Sequence, residues 1–383
     1  GGGGGGGARH GATSRRDRGG GGEMCCLLWW VLLVGMSRFG SHLQSGEDGR
    51  GAMRKLYFLV PGTSKRYACG GLFAELKTVE LARRVCTAEV VTYDQPETDT
   101  LFLDDLLQSE PLDDVIFVIS WGFHVPKLAR RLRPYQVVYH AHSSGYGFKL
   151  SGDVPIITVS RNSMGYWGQT CPNGLLFYLP NLLSPEFSDR GLSRHIDVLV
   201  QVRKSSEYLL KSLVPALQPH CNVVLLDKFV DDLGELFNRS KIYLYDSAEY
   251  WAQRRVSEGF GLPPMEAMAC GCQVFSSVNG ALADYLDPGF NCYKIGLYST
   301  AYDVQRILQA LHQPNPLRLT EEQLKPFREE VVLPRLETIL AEINHFFDHR
   351  AQLSPDIPGF SKPRMASLLA RRVRKKILEK LGK

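Results

Sequence analysis

Two acidic residues with glycines between them mark the stretch of this chain that is best suited to chemistry. Glu258 and Glu266 are separated by seven residues in the run Ser257–Val274, which reads SEGFGLPPMEAMACGCQV. Gly259 and Gly261 let the backbone approach a ligand closely, because they carry no side chain. The run therefore predicts a ligand-binding loop that carries two carboxylates.

A short helix is expected to follow this loop. Pro263 and Pro264 favour a helix start and Gly271 favours its end. This predicts Glu266 in the opening turn, where its carboxylate could accept from hydroxyl groups such as those of a ribose. The free N–H groups of the turn favour a phosphate. The alternative is that Glu266 only faces the helix dipole and that Glu258 is a solvated loop residue.

The run closely resembles the signature of the family-4 retaining glycosyltransferases (glycosyl transferases group 1), which use nucleotide sugars and have the two-domain GT-B fold. Two acids, two glycines and a helix start match together. The resemblance implies that Glu258 lies at the transferred sugar and that Glu266 binds the nucleotide ribose. It also implies that the loop amides of Phe260, Gly261 and Leu262 hold the sugar and the phosphate.

The resemblance extends to the turn after the predicted strand Ile196–Val202. Family members place an arginine there, and a lysine some residues later, to neutralise the donor diphosphate. Arg203 matches in position, whereas Lys204 follows directly and departs from the usual spacing. A planar guanidinium at the end of a strand suits a diphosphate whose charge grows as the sugar leaves. A surface cation at a helix start is the alternative.

Three glycines complete the set that the resemblance implies. Gly70 and Gly71 follow the first predicted strand, where the family has a Gly-Gly pair at the floor of the cleft. A flexible loop before a helix is the alternative. Gly280 lies between a strand and a helix, where related proteins hold phosphates with backbone N–H groups. The acid that family members often carry shortly afterwards is replaced by Ala283-Asp284.

A histidine pair ends another predicted strand, Gln136–His142. His140 and His142 share one face of the strand, and the ends of such strands open onto the ligand crevice. His142 is therefore a candidate for contact with the acceptor or the donor, and a plain structural histidine is the alternative. Two histidines at this spacing also suit a metal, but we find no third ligand nearby in the sequence.

Apolar runs alternate with helical patterns along most of the chain. The predicted strands are Leu56–Val60, Ala88–Tyr93, Val115–Ser120, Gln136–His142, Pro155–Ser160, Ile196–Val202, Asn222–Leu226, Lys241–Ser247 and Val274–Val278. Such alternation predicts parallel sheets with Rossmann-like topology. With 383 residues, 44% of them hydrophobic, the chain can bury two cores. The expected fold is α/β, with two Rossmann-like domains and a cleft between them, as in GT-B.

The domain boundaries follow from changes in composition. We expect an acceptor-side domain at 53–188 and a nucleotide-sugar-binding domain at 189–319, with the linker marked by Pro180, Pro185 and the polar stretch Ser188–Arg194. Residues 1–52 hold polyglycine, an arginine-rich patch and the apolar run Cys25–Met36, which is too short to span a bilayer. We interpret them as a disordered or non-native leader, with a membrane-anchoring segment as the alternative.

Residues 320–383 predict helices that end in a basic amphipathic tail. An apolar stripe in Thr320–Phe347 predicts a helix that Pro326 and Pro334 kink or divide. The resemblance implies that a late helix crosses back onto the first domain. Residues 364–383 combine leucine, valine and isoleucine with arginine and lysine, and so they suit an anionic membrane surface. Packing on the protein, with the charges in water, is the alternative.

The charge and the cysteine content of the chain indicate which classes of partner and which cellular compartment to expect. The net charge of +5 is mild and does not indicate a nucleic-acid binder. The nine cysteines include no CxxC pair, so we predict reduced thiols in a cytoplasmic protein, with a peripheral position on the inner face of a membrane as the alternative. We expect no metal and no permanently bound cofactor. The absence of an Asp-x-Asp triplet fits neutralisation of the diphosphate by Arg203, Lys204 and helix N-termini.

Together these features predict a retaining hexosyltransferase. It would move a sugar from a UDP- or GDP-sugar to a saccharide or lipid-linked acceptor in cell-surface glycan synthesis, and domain closure would exclude water. Glu258 would position the sugar and need not be a covalent nucleophile. Two alternatives stay open: a nucleotide-sugar epimerase, and a catalytically silent protein that binds sugar nucleotides on the same scaffold.

Overall fold

The apolar runs of the first half of the chain form a parallel sheet. The structure is a computed structural model that describes residues 53–67, 69–109, 112–228 and 230–382. The strands are β1 (Lys55–Val60), β2 (Ala88–Thr92), β3 (Leu101–Phe102), β4 (Val115–Ile119), β5 (Gln136–Ala141), β6 (Ile156–Thr158) and β7 (Leu176–Tyr178). Their order across the sheet is β3-β2-β1-β4-β5-β6-β7. The helices of this part are α1 (Gly70–Arg83), α2 (Leu103–Ser109), α3 (Val125–Arg131) and α4 (Arg161–Thr170).

The second half repeats this architecture with a smaller parallel sheet. Its strands are β8 (Ile196–Gln201), β9 (Val223–Leu226), β10 (Ser240–Tyr245), β11 (Gln273–Ser276) and β12 (Tyr293–Lys294), in the order β12-β11-β10-β8-β9. Its helices are α5 (Val214–Leu217), which continues a π-helical turn at Leu209–Leu213, α6 (Leu233–Asn238), α7 (Ala248–Arg254), α8 (Leu262–Ala269) and α9 (Thr300–Leu311). The chain ends with α10 (Glu321–Leu324), α11 (Glu329–Gln352) and α12 (Lys362–Lys380).

Each sheet is buried on both faces, because its strands are apolar at successive positions. In β1, Leu56 and Phe58 belong to one hydrophobic core, and Tyr57 and Leu59 belong to the core on the opposite face. The same alternation in β10 separates the two cores of the second sheet. Helices cover both faces of such sheets, and so the predicted α/β class is confirmed.

Helix α11 returns to the first sheet. Its buried stripe is Val332, Leu336, Ile339, Leu340, Ile343 and Phe347, which lies in the core that β1 lines. The prediction of a late helix that crosses back is confirmed. Pro326 lies in a 3-10 turn before the helix, at Lys325–Phe327, whereas Pro334 lies inside α11 without ending it.

Helix α12, unlike α11, is not packed into a core: every residue that the structure describes in it is exposed. The alternative that the basic tail packs on the protein is therefore wrong for this helix. Across the described ranges, the helices are too short or too polar to cross a membrane. The predicted boundary at 188/189 falls in the connection between β7 and β8, and the domain limits stay predictions. The predicted leader, 1–52, lies outside the described residues.

Candidate functional site

A cleft of about 460 Å³ opens where strand ends of the two sheets face each other. From the first sheet it is lined by Val60, Ser120 and His142, which end or follow β1, β4 and β5. From the second sheet it is lined by Gln201 and Tyr245, which end β8 and β10. The carboxyl ends of parallel strands form the usual ligand crevice of such folds.

Two loops touch at one side of this cleft. A Cβ atom on Gly259 would lie 1.4 Å from the His142 carbonyl oxygen, so only glycine permits this approach. The Ser257 N–H donates to the Ser144 carbonyl at 2.9 Å, and the Ser143 hydroxyl donates to the Ser257 carbonyl. The two halves of the protein therefore meet directly beside Glu258.

Glu258 is buried at this contact, with 5% of its surface exposed. Its Oε2 accepts three hydrogen bonds: from Tyr245 Oη at 2.8 Å, from Ser247 Oγ at 3.0 Å and from Trp251 Nε1 at 2.7 Å. Burial, and then the charge of Glu258, raise the pKa of Tyr245 well above its ordinary value, so its hydroxyl stays a donor. Because Glu258 also lines the cleft, Oε1 is the oxygen that remains for a ligand. The alternative of a solvated loop residue is wrong.

Helix α8 begins at Leu262, one residue before the predicted start. Gly261 precedes it with a left-handed φ of 82°, which glycine adopts without strain. Both prolines fit into the first turn, because the N–H groups of that turn need no partner within the helix. Glu266 is consequently the fifth residue of α8 and lies in the second turn, so its predicted place in the opening turn is wrong.

The surroundings of Glu266 contrast with those of Glu258. Glu266 is 8% exposed, and no group in the described part of the chain donates a hydrogen bond to its carboxylate. Burial raises its pKa to about 7, although the Lys77 ammonium lowers it. It does not line the cleft.

Cations line the wall opposite His142. Arg203 and Lys204 follow β8, and Arg254 ends α7. Within the ranges that the structure describes, none of these three forms an ion pair with a carboxylate. Lys204 has a left-handed φ of 68°, which is strained for a side chain with a Cβ. Its Nζ lies 4.5 Å from the centre of the Trp251 ring. The wall thus offers positive charge to an anionic ligand.

His142 belongs to a buried cluster on the first-domain wall. Oε2 of Glu75 lies 2.5 Å from His140 Nδ1 and 2.7 Å from His142 Nε2. Sequence analysis finds no third group beside the histidine pair, but the fold supplies Glu75 from α1. Burial raises the pKa of Glu75, but the charge of His140 and hydrogen bonds from both histidines outweigh it and hold this pKa at about 2.

The remaining predicted residues have distinct positions. Phe260, Gly261 and Leu262 line the cleft, as do Gly70 and Gly71 at the start of α1. Gly280 does not line it.

Gly280 instead packs beneath the Glu258 loop. A Cβ on Gly280 would lie 2.8 Å from the Glu258 carbonyl oxygen, and the N–H of Ala281 donates to that oxygen at 3.0 Å. Of the predicted site residues, Glu266 and Gly280 are thus the two that the structure leaves outside the cleft lining.

Four residues that contribute to the site were missed: Glu75, Tyr245, Ser247 and Trp251. A signal existed for Glu75, because it lies three residues after Leu72 and four before Val79, on the apolar face of α1. A charged residue at a core-facing position needs a partner. No comparable signal marks the donors to Glu258, because tertiary structure alone brings β10 and α7 to that carboxylate.

The family model described as glycosyl transferases group 1 matches residues 202–324. This match confirms the resemblance that the Glu258–Glu266 run indicates, within the second Rossmann-like half. A comparison with curated protein sequences finds no match.

Several solved structures are similar to this chain along most of its length. Sucrose-phosphate synthase from Thermosynechococcus elongatus has a TM-score of 0.55 and 14% identity, over 76% of this chain and 99% of that one. A glycosyltransferase from Rickettsia africae has a TM-score of 0.54 and 10% identity, over 76% and 98%. The pneumococcal O-GlcNAc transferase GtfA, in complex with UDP and GlcNAc, has a TM-score of 0.55 and 10% identity, over 77% and 100%. Likeness at these identities establishes the fold, which is GT-B with two Rossmann-like domains.

Proposed function

We propose, from the premise that residues 202–324 match the group 1 glycosyl transferases, that this chain is a glycosyltransferase that uses a nucleoside diphosphate sugar and retains the anomeric configuration. The observation that carries the proposal is the arrangement around Glu258. One carboxylate oxygen is fixed by three donors, the other accepts no hydrogen bond from the described residues, and Glu258, Arg203 and Lys204 line the same cleft.

This arrangement matches the charges of the proposed reaction. The bond between the anomeric carbon and the diphosphate oxygen breaks, and the sugar gains positive character while the diphosphate gains negative charge. Arg203 and Lys204 stabilise the leaving diphosphate, because cations fixed before the reaction need no reorganisation. Oε1 of Glu258 holds a sugar hydroxyl and places its charge near the developing cation.

Retention follows from the face on which the acceptor attacks. The acceptor hydroxyl forms its bond on the face that the diphosphate leaves, and its proton passes to the departing phosphate oxygen. Glu258 is held by Tyr245, Ser247 and Trp251 and so acts as a positioning charge. The close approach of Gly259 to His142 would help to keep water out of this end of the cleft.

The donor nucleotide is proposed to lie along α8. The amides of Phe260, Gly261 and Leu262 would bind sugar and phosphate at the helix start. Glu266 would bind the ribose and Gly280 would support the loop beneath Glu258. The pneumococcal structure with UDP and GlcNAc supports a UDP-sugar, and a GDP-sugar is the second donor to test.

The acceptor is proposed to enter on the first-domain wall, at Gly70, Gly71 and His142, and to be a saccharide or a lipid-linked saccharide of the cell surface. The tail supports the lipid-linked class. In α12, exposed Leu369, Val373 and Ile377 lie beside arginine and lysine residues, and no core formed by the described residues covers them. Such a helix suits an anionic bilayer surface.

Vesicle sedimentation tests whether α12 binds an anionic membrane surface. The full chain should sediment with vesicles of phosphatidylcholine and phosphatidylglycerol and not with phosphatidylcholine alone. Replacement of Arg371, Arg372, Lys375 and Lys376 by glutamate should abolish binding, since each cation contributes about 1 kcal/mol. Equal binding by that variant would refute a membrane role for α12.

A thermal-shift screen of UDP, GDP, ADP, CMP and their common sugar conjugates tests the donor site. A ligand that binds the native state raises the melting temperature by mass action. Glu266→Ala should lose the shift that one nucleoside diphosphate gives, whereas Glu322→Ala, an exposed glutamate of α10, should keep it. The absence of any shift in folded protein would contradict the proposal.

Turnover of the donor identified in this way separates the remaining alternatives. A glycosyltransferase needs an acceptor for rapid turnover, and its product should keep the anomeric configuration of the donor in a proton NMR spectrum. An epimerase converts the donor without an acceptor. A catalytically silent binding protein shows a thermal shift with the donor but no turnover. A product with the inverted anomeric configuration would refute retention.

A further inference from the structure

The cluster on the first-domain wall has a hydrogen-bond pattern that constrains its protons. Glu75 Oε2 is the common partner of His140 Nδ1 and His142 Nε2, at 2.5 and 2.7 Å. A carboxylate only accepts hydrogen bonds, so each of these two ring nitrogens must carry a hydrogen. Glu75 is ionised at neutral pH, because the charge of His140 and the hydrogen bonds from both histidines hold its pKa at about 2 against the effect of burial.

This pattern determines which nitrogen of His142 faces a ligand. Burial and the charge of His140 lower the pKa of His142, so its ring is neutral and carries one hydrogen. That hydrogen is on Nε2, where Glu75 binds it, and Nδ1 is left with a lone pair. His142 lines the cleft, so Nδ1 is its free acceptor.

A metal ion suits the same three side chains less well. Ligand atoms bound about 2.0–2.2 Å from one tetrahedral zinc lie more than 3 Å apart, whereas here two pairs are 2.5 and 2.7 Å apart. A histidine that binds a metal normally donates its second N–H to an acceptor. His140 Nε2 is buried and has no partner among the described residues. The geometry therefore favours shared hydrogens over a shared metal.

We propose that Glu75 is a positioning residue that holds His142 in its Nε2–H tautomer, so that Nδ1 accepts a hydrogen bond from a hydroxyl of the sugar substrate. His140 fixes Glu75 from its other side. This inference rests on the proposed glycosyltransferase function for the substrate, but the tautomer itself is a property of the free protein. Glu75 touches the histidines and acts through His142.

Nitrogen NMR of protein labelled with ¹⁵N-histidine tests the tautomer without any substrate. The resonances of His142 are assigned from their loss in His142→Gln. The wild type should show a protonated Nε2 and a bare Nδ1, and Glu75→Gln should show a mixture of tautomers, because an amide both donates and accepts. A protonated Nδ1 in the wild type overturns the proposal, even if Glu75→Gln does not fold.

Kinetics test whether Glu75 acts through His142. With UDP-glucose and GDP-mannose as donors, Glu75→Gln should lower kcat about 10–100-fold, as loss of an outer-shell partner does in other sites, with KM changed less than about threefold. In the His142→Gln background the same change should have an effect of less than about threefold, because the coupling is already lost. Glu80→Gln, an exposed position on the same helix, is the matched control and should match the wild type.

Three results would contradict the inference. Equal losses from Glu75→Gln in both backgrounds would show a general structural role. About one equivalent of metal per chain in the purified protein, lost in Glu75→Gln, would show a metal site instead. An unchanged kcat in folded Glu75→Gln would show that the tautomer is irrelevant to the reaction. If no donor turns over while the NMR result holds, the proposed function fails and the tautomer stands.

Discussion

Each wall of the cleft buries one carboxylate, and each carboxylate uses a single oxygen for several hydrogen bonds. On the second-domain wall, Glu258 Oε2 binds a tyrosine, a serine and a tryptophan. On the first-domain wall, Glu75 Oε2 binds His140 and His142. The number of contacts is similar, but the donors differ in chemistry.

The difference assigns different tasks to the two carboxylates. The donors to Glu258 keep their hydrogens at neutral pH, and its Oε1 accepts no hydrogen bond from the described residues, so this cleft-lining carboxylate has an oxygen to offer to the proposed ligand. Oε1 of Glu75 is buried and has no partner among the residues that the structure describes. The hydrogen bonds of Glu75 therefore go to two titratable rings, although the residue also lines the cleft.

The largest effect should come from removing the charge that faces the ligand. Glu258→Ala should lower kcat about 10²–10³-fold, the loss typical of one preorganised electrostatic contact at a reacting centre. The thermal shift with UDP should persist, and Glu322→Ala should retain full activity. A loss below about tenfold would mean that Glu258 serves mainly to satisfy its three donors.

Glu266 sharpens the comparison, because it is a buried carboxylate to which no described residue donates a hydrogen bond. Its folded pKa of about 7 exceeds the ordinary value of 4.5, so the folded state binds more protons between these values and stability falls as pH rises through them. Glu266→Gln does not titrate. It should gain about 2–3 kcal/mol of unfolding free energy over the wild type between pH 5 and pH 8. Urea titrations at the two pH values measure this, and a constant difference would contradict it.

Glu75 should make the free energy of unfolding depend on pH in the opposite direction. Its folded pKa of about 2 lies below the ordinary value of 4.5, so the unfolded state binds more protons and stability falls as pH falls through this window. On the order of 2 kcal/mol should be lost by pH 3 in the wild type and not in Glu75→Gln. Acid unfolding followed by circular dichroism compares the two proteins, and parallel curves would contradict the lowered pKa of Glu75.

The smallest effect should come from removing one of the three donors to Glu258. Trp251→Phe keeps an aromatic ring beside Lys204 but loses Nε1–H, which should cost about 1 kcal/mol, or about fivefold in kcat. Tyr302→Phe removes a hydroxyl from an exposed aromatic ring that lies outside the cleft lining and keeps the ring against which Arg306 packs, so it is the control and should change kcat less than twofold or so. Equal effects would mean that the hydrogen bond to Glu258 is not what Trp251 contributes.

The same contrast explains what could be predicted from the sequence. Most strands were predictable because they are runs of mainly apolar residues, and the Glu258 loop was predictable because its glycines and prolines are local signals. The predicted start of α8 was one residue too late, since prolines fit several positions of a first turn, and Glu266 was therefore placed in the wrong turn. Strands β3, β7 and β12 were missed, because two or three residues are too few to show a pattern.

The partners of the two carboxylates were beyond prediction for a different reason. Tyr245 and Trp251 reach Glu258 from separate elements, and Glu75 is 65 residues from His140. Their hydrogen bonds depend on how sheets and helices pack, which no local spacing records. Glu75 alone left a trace, as an acid on the apolar face of α1.

The close approach of Gly259 to the His142 carbonyl oxygen limits the distance between the two walls of the cleft. The two walls come this near because residue 259 carries a hydrogen atom where every other amino acid carries a carbon. Gly259 is thus one point of the backbone that limits how closely the two walls of the cleft approach each other. The absence of a Cβ at Gly259 therefore lets the Glu258 carboxylate and the His142 ring lie close enough to contact the same ligand.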